Sequence, residues 1–192
     1  MSSVINQDNR PVQHQIRTAK SADLPQLTEI LVSSFYPQTQ LNRWVYPLIR
    51  IGIREDLKLR LANRSHQYCC LVAVCPAAEA AASSASAQII GTVELSVRAY
   101  ALWPPFQARH PYVANLAVRA NYRRRGAARQ LLRACEDVVR TWGYSSIYLH
   151  AAASNDQALQ LYQQLDYRPR LSAQCAFLRL ASPRVLLSKS LG

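Results

Sequence analysis

The run YVANLAVRANYRRRGAARQLL, from Tyr112 to Leu132, decides the fold. Its first seven residues form an apolar strand. From Gly126 onward the period changes, and Leu131, Leu132, Cys135, Val138 and Val139 fall on one face of a helix that runs to Trp142. Between strand and helix lies a short turn that carries Arg123, Arg124 and Arg125. Small residues at Gly126, Ala127 and Ala128 let a ligand approach the first helical turn, whose free amides favour a pyrophosphate. Gly126 has no side chain to block that approach. Basic residues before a helix also serve as a plain solvated face, so the turn taken alone leaves both readings open.

Outward from this segment the chain alternates strands and helices. Upstream, IRTAK, YCCLVAV and QIIGTVELSVR read as strands, and LPQLTEILVSSF is a helix with cap-forming residues in front of it. LNRWVYPLIRIGIREDLKLRLANR carries a second helical pattern, with Pro47 and Gly52 weakening its first half. Downstream, SSIYLHAA is a strand, NDQALQLYQQL a helix, and CAFLRLA and RVLLSKSL are the last strands. Strand–helix–strand in the second half implies a parallel crossover within a mixed sheet. The organisation expected is a polar leader at 1–14 and one domain over 15–192, with a flexible Ala/Ser excursion at 76–88. The fold class is α/β of the mixed α+β kind: a mostly antiparallel sheet of about seven strands flanked by about four helices.

Composition narrows the function classes. The 192 residues suit one domain of roughly 100–200 residues, and 49% apolar content supplies a core. No apolar run approaches a membrane span of about 18 residues, and the leader lacks the apolar stretch of a secretory signal. The formal charge is +12, from 23 Lys+Arg against 11 Asp+Glu, and nearly all the cations are arginine. Arginine recognises phosphate and carboxylate in bidentate fashion, so anionic ligands are expected: a phosphorylated cofactor or acidic proteins. Nucleic acid is disfavoured, because no aromatic-rich strand motif for bases accompanies the charge. Five cysteines without a CxxC pair read as reduced, mostly buried thiols, and no metal is expected. The compartment expected is cytoplasm or organellar stroma.

Two motifs together resemble those of the GNAT N-acetyltransferase superfamily. Arg123-x-x-Gly126-x-Ala128, after a strand and opening a helix, resembles its acetyl-CoA signature. Asn155-x-x-Ala158-x-x-Leu161-Tyr162 followed by Leu165-Asp166-Tyr167 resembles its later Asn-x-x-Ala…Leu-Tyr…Gly-Phe/Tyr helix. The resemblance spans about Tyr112 to Tyr167. It implies acetyl-CoA as cosubstrate and no metal. By the same resemblance, the backbone of Leu116, Ala117 and Val118 pairs with the pantetheine arm, and the Arg124–Ala128 amides hold the pyrophosphate beside Arg123. Asn155 touches the cofactor arm, and Tyr162 is the general acid for the leaving thiolate.

An ammonium must lose a proton before it can attack a thioester. Many members of that family place a carboxylate on the central strand, where this chain has Asn115. The order of Tyr112, the arginine turn, His150, Asn155 and Tyr162 is similar to the subfamily that acetylates Met-starting protein N-termini. There a strand tyrosine and a histidine hold a water that deprotonates the amine. Glu94 on the preceding strand is the competing base, unless strand alternation turns it to solvent. Phe35, Tyr36 and Pro37 stand where relatives cradle a peptide end. No Tyr-Tyr pair follows Tyr167, which implies an open groove like that of cyanobacterial and plastid relatives acting on both α-amines and lysines. Asp166 replaces a usual glycine, which suggests a local rearrangement. Cys135 has no neighbouring histidine, so a covalent route lacks support. The expectation is acetyl transfer to protein or peptide amines, acidic ones included, by a monomer or homodimer. The alternatives are a small-molecule amine acetyltransferase and a non-catalytic acyl-CoA-binding module.

Overall fold

A computed structural model describes residues 14–36, 44–62, 67–75, 87–99, 109–170 and 183–192. Seven strands form one sheet: β1 (Gln15–Thr18), β2 (Tyr68–Val74), β3 (Ile89–Ala99), β4 (Arg109–Val118), β5 (Ser146–Ala152), β6 (Arg168–Arg170) and β7 (Arg184–Ser190). Their spatial order is β1-β2-β3-β4-β5-β7-β6. Every neighbouring pair is antiparallel except β4 and β5, which run parallel across the α3 connection. The helices are α1 (Leu24–Phe35), α2 (Tyr46–Ala62), α3 (Ala127–Thr141) and α4 (Asp156–Gln164).

Both faces of the sheet are covered. Leu27, Ile30 and Leu31 of α1 and Leu57 of α2 pack on Cys70, Val72, Val74 and Ile89. On the opposite face Leu131, Leu132, Cys135 and Val139 of α3 meet Leu71, Val93, Leu95 and Leu149. Each such side chain contributes about 1.5–3 kcal/mol on burial, and truncating Leu131 or Leu132, both fully buried, would cost about 2–5 kcal/mol. β1 is clamped to the start of α1 by Arg17, which donates to both carboxylate oxygens of Asp23 (2.6 and 3.0 Å) while the Lys20 amide donates to Oδ2.

The expected helix with Pro47 and Gly52 forms from Tyr46 onward, so its first half is helical after all. Pro47 sits in the first turn, where an amide has no intrahelical partner to lose. β6, Arg168-Pro169-Arg170, is an edge strand that no apolar pattern announces; its three residues are all exposed. Proline is tolerated there because an edge leaves one side of the ladder unused. Asp166 causes no rearrangement: it takes φ 65° itself. The Asp166 amide donates to the Gln163 carbonyl and the Tyr167 amide to the Tyr162 carbonyl, a Schellman end to α4 with Asp in the glycine position. His14, assigned to the leader, is buried, and its imidazole Nε2 lies 3.2 Å from the Arg125 carbonyl. Cys70, Cys75 and Cys135 are buried free thiols and Cys69 is half-buried. The expected strand at 175–181, Cys175, Pro37 and most of the 76–88 excursion lie outside the described residues.

Candidate active site

β4 and β5 pair only at Tyr112–Tyr148 and Val113–Leu149 and then part. A bulge contributes to the opening. Thr92 faces Ala117 and Glu94 faces Ala114, so β4 holds one residue more than β3 across that step. Asn115 lies within it at φ 53°, a conformation that asparagine tolerates better than most residues. The resulting cleft, about 1230 Å³, runs from the arginine turn to the outer end of the sheet. Val118 and Tyr112 are six residues apart, about 20 Å along a strand, so the two ends of the cleft are well separated.

At one end the turn opens onto the helix. Gly126 precedes α3 at φ +85° and no side chain caps the helix, which leaves its first-turn amides for a ligand. The turn is braced from behind. Arg123 Nε donates to the Val118 carbonyl (3.0 Å), the Arg125 guanidinium stacks on Tyr122, and the His14 amide donates to Gln130 Oε1 (2.9 Å). Arg124 at φ 66° completes the reversal. Arg123, Arg124, Gly126, Ala127 and Ala128 line the cleft, as do Leu116, Ala117 and Val118 of β4. Asn155 also borders the cleft, and its Oδ1 caps α4 by accepting from the Ala158 amide (3.1 Å).

At the other end Tyr112 Oη and His150 Nδ1 are 3.0 Å apart. Burial, with the nearby Arg184 cation adding to it, holds His150 below the ordinary imidazole range, so the ring is neutral at pH 7. Tyr162 on α4 is buried against Tyr167. Burial pushes its hydroxyl up to about 12, with Tyr112 adding to the effect, so it keeps its proton. Phe35 and Tyr36 are exposed at the end of α1 and line the cleft.

Glu94 does not face solvent. β3 is buried along both faces, from Ile89 through Leu95, so alternation gives it no wet side. Its Oε2 accepts from Arg60 (2.8 Å) and Tyr68 (3.2 Å), and its Oε1 from Asn115 Nδ2 (2.7 Å). The residues that line the cleft include Asn115 and Arg60 but not Glu94. A carboxylate with both oxygens engaged behind the wall is suited to holding the bulge. Arg60 on α2, Arg98 on β3 and Arg184 on β7 border the cleft as well. Sequence reading passes over these three because the sheet order brings in Arg98 and Arg184, the packing of α2 brings in Arg60, and no motif marks any of them. Burial raises the thiols of Cys69, Cys70 and Cys135, which makes them poor nucleophiles. Among the described residues no group of His, Cys, Asp and Glu could hold a metal ion.

The family model described as acetyltransferase (GNAT) matches residues 26–167. GCN5-related N-acetyltransferase 6, chloroplastic, of Arabidopsis thaliana is 28% identical over 130 residues, 58% of this chain and 45% of that protein. The chain therefore spans less than half the length of that curated relative. The PaiA N-acetyltransferase of Thermoplasma acidophilum, solved in complex with coenzyme A, superposes with a TM-score of 0.66 at 16% identity, covering 93% of this chain and 99% of that one. NAA60 of Arabidopsis thaliana, solved with a bisubstrate analogue, gives 0.61 at 19% identity over 94% and 100%. These structural likenesses bear on the fold, and the family match covers the arginine turn, the Tyr112–His150 pair and Tyr162 together. The chain belongs to the acetyltransferase (GNAT) family.

Proposed function

We propose that this chain is an acetyl-CoA-dependent N-acetyltransferase that acts on protein amines, N-terminal α-amino groups and lysine ε-amines, by direct attack within a ternary complex. The observation that carries the reading is the Tyr112–His150 pair, 3.0 Å apart, at the end of the cleft remote from the arginine turn. The uncapped start of α3 takes the diphosphate, and the gap between β4 and β5 takes the arm, whose amides pair with Leu116, Ala117 and Val118. The thioester then lies near Tyr112 and Tyr162. The chloroplastic relative, a GCN5-related N-acetyltransferase, supports amine acetylation and a plastid setting, and the Tyr112–His150 pair supports a protein acceptor through its resemblance to the subfamily that acetylates protein N-termini. No helix among the described residues is long and apolar enough to cross a membrane.

Either tautomer of His150 serves as base. With Nδ1 bare, Tyr112 donates to it and its oxygen accepts the amine proton, directly or through a water. With Nδ1 protonated, it donates to Tyr112 and Nε2 offers the lone pair. A depressed imidazole pKa keeps one such lone pair available at neutral pH. Loss of the proton gives a neutral amine, whose lone pair forms the new C–N bond at the thioester carbon; the nitrogen of the tetrahedral adduct gives up a second proton to solvent or to the departing sulfur as the C–S bond breaks, leaving the amide and coenzyme A. Tyr162, at about 12, lies above a thiol's ~8.5, so it steadies the departing sulfur by a hydrogen bond more than by full proton transfer. A small polyamine acceptor fits less well, because Arg98 lies over Tyr112 in the cleft lining and like charges slow encounter.

The test is coenzyme A release with a panel of free-N-terminus and lysine peptides, together with mass spectrometry of the products. Tyr162→Phe should lower turnover by about tenfold or more with coenzyme A affinity retained. Acetylation of small amines alone, with every peptide inert, would overturn the protein-acceptor reading.

A further inference from the structure

The peptide group that joins Arg125 to Gly126 is gripped by a residue from the other end of the chain. The His14 imidazole Nε2 lies 3.2 Å from the Arg125 carbonyl oxygen, across 111 positions of sequence. A carbonyl only accepts, so Nε2 is the donor. His14 is 4% exposed and its Nδ1 is buried with no hydrogen-bond partner, so the ring makes its polar contribution through Nε2. The His14 amide donates to Gln130 Oε1 (2.9 Å), and the Gln130 side-chain nitrogen stands 3.7 Å from where a Cβ on Gly126 would lie. One residue thus holds the turn at Arg125 and again at the first turn of α3. In a trans peptide the carbonyl and the amide point in opposite directions. A bond that draws the Arg125 oxygen toward His14 therefore turns the Gly126 N–H the other way. The cleft lining agrees, since it includes Arg124 and Gly126 and leaves out Arg125 and His14. Gly126 stands at φ 85°, and glycine accepts φ of either sign. The plane before it can reverse at little backbone cost, so a lock there has something to prevent.

We propose that His14 is a positioning residue for the cofactor: its Nε2–H fixes the Arg125–Gly126 peptide plane so that the Gly126 amide faces the diphosphate. The inference rests on the reading of this turn as the diphosphate cradle. A donor already aimed in the free protein needs no reorientation when the anion arrives. Without the lock the plane also samples the reversed orientation. There a carbonyl oxygen meets the diphosphate and repels it.

The experiment compares the wild type with His14→Phe, which keeps a planar ring and loses the donor, and with His14→Gln, whose side-chain amide keeps one. Calorimetry with coenzyme A and steady-state kinetics are run on each, beside a thermal melt. His14→Phe should bind coenzyme A about tenfold more weakly, the loss expected for one hydrogen bond to a charged group. Its KM for acetyl-CoA should rise by the same factor, with kcat and the acceptor KM kept. A role in packing alone would lower the melting temperature and leave the ratio of the two KM values where it stands in the wild type. His14→Gln should bind within about threefold of the wild type. In isotope-labelled wild type, coenzyme A should move the Gly126 amide proton downfield, a measurement that needs no variant to fold. His14→Phe binding as tightly as the wild type, His14→Gln binding as weakly as His14→Phe, or a Gly126 amide that stays in place at saturation overturns the lock and leaves the acetyltransferase reading standing. A wild-type protein with no affinity for coenzyme A overturns both.

Discussion

Removing the Glu94 carboxylate should unsettle the bulge without touching the proton relay. In Glu94→Ala, three donors lose their acceptor: Arg60 at 2.8 Å, Asn115 at 2.7 Å and Tyr68 at 3.2 Å. Hydrogen bonds to charged groups contribute about 1.5–3 kcal/mol and neutral ones about 1. The share of Arg60 sits below that range, because its side chain is 36% exposed and Asp56 still holds it at 2.7 Å. The sum is about 3–4 kcal/mol. At ~2–4 °C per kcal/mol for a chain of this size, the melting temperature drops by on the order of 10 °C. Glu94→Gln keeps the volume and an acceptor and should lose about 1–2 kcal/mol. Urea midpoints with Arg60→Ala and the double variant isolate the Arg60 coupling. Under the same reasoning the acidic limb of the pH–rate profile survives in Glu94→Gln and disappears in His150→Gln. Loss of that limb in Glu94→Gln, or a Glu94→Ala protein as stable as the wild type, refutes the assignment.

Three further outcomes follow from single contacts. Arg184→Ser removes one of two causes that depress His150, so the acidic limb of kcat/KM should rise while staying below ~6.5; a limb that stays fixed would separate the two residues. Asp166→Gly should stabilise the fold by about 1 kcal/mol, or about 2–4 °C in a thermal melt, because a side chain at φ 65° is strained and the 3.8 Å pair with Arg168 is exposed and contributes little. Burial raises the Asp23 carboxyl, but the Arg17 hydrogen bonds, the Lys20 amide and the neighbouring cations outweigh it and leave its pKa lowered. A carboxyl that titrates lower when folded stabilises fully above its unfolded pKa of ~3.9 and loses that contribution as pH falls through the folded value. Denaturation followed from pH 6 to pH 2 should therefore decline less steeply for Asp23→Asn.

Strands β2 and β5 and helices α1 and α3 are legible because apolar runs and helical periods there coincide with what the sheet buries. β6 is not, because Arg168–Arg170 bury nothing and owe their extended form to pairing with β7. Glu94 misleads for the opposite reason: alternation identifies an outer face only when one face meets water, and here helices cover both. Tyr112 and His150 were recognisable as a pair from a resemblance in chain order. Their 3.0 Å approach depends on the parallel β4–β5 rungs, which follow from the α3 crossover. Asn115 reads as a missing base, whereas its position in the bulge and its bond to Glu94 depend on a register shift that no local pattern encodes. Arg98 and Arg184 lie 86 positions apart in the chain, and only the sheet order brings both to the lining of the cleft.

The two rungs between β4 and β5 make a narrow seam in an otherwise continuous sheet. On the proposed reading, a cofactor arm that offers its own amides there would act as a keystone, bridging two half-sheets that protein hydrogen bonds barely join. Occupancy should accordingly be felt as rigidity well away from any contact, in slower amide exchange across β5 and β7 as much as along β4.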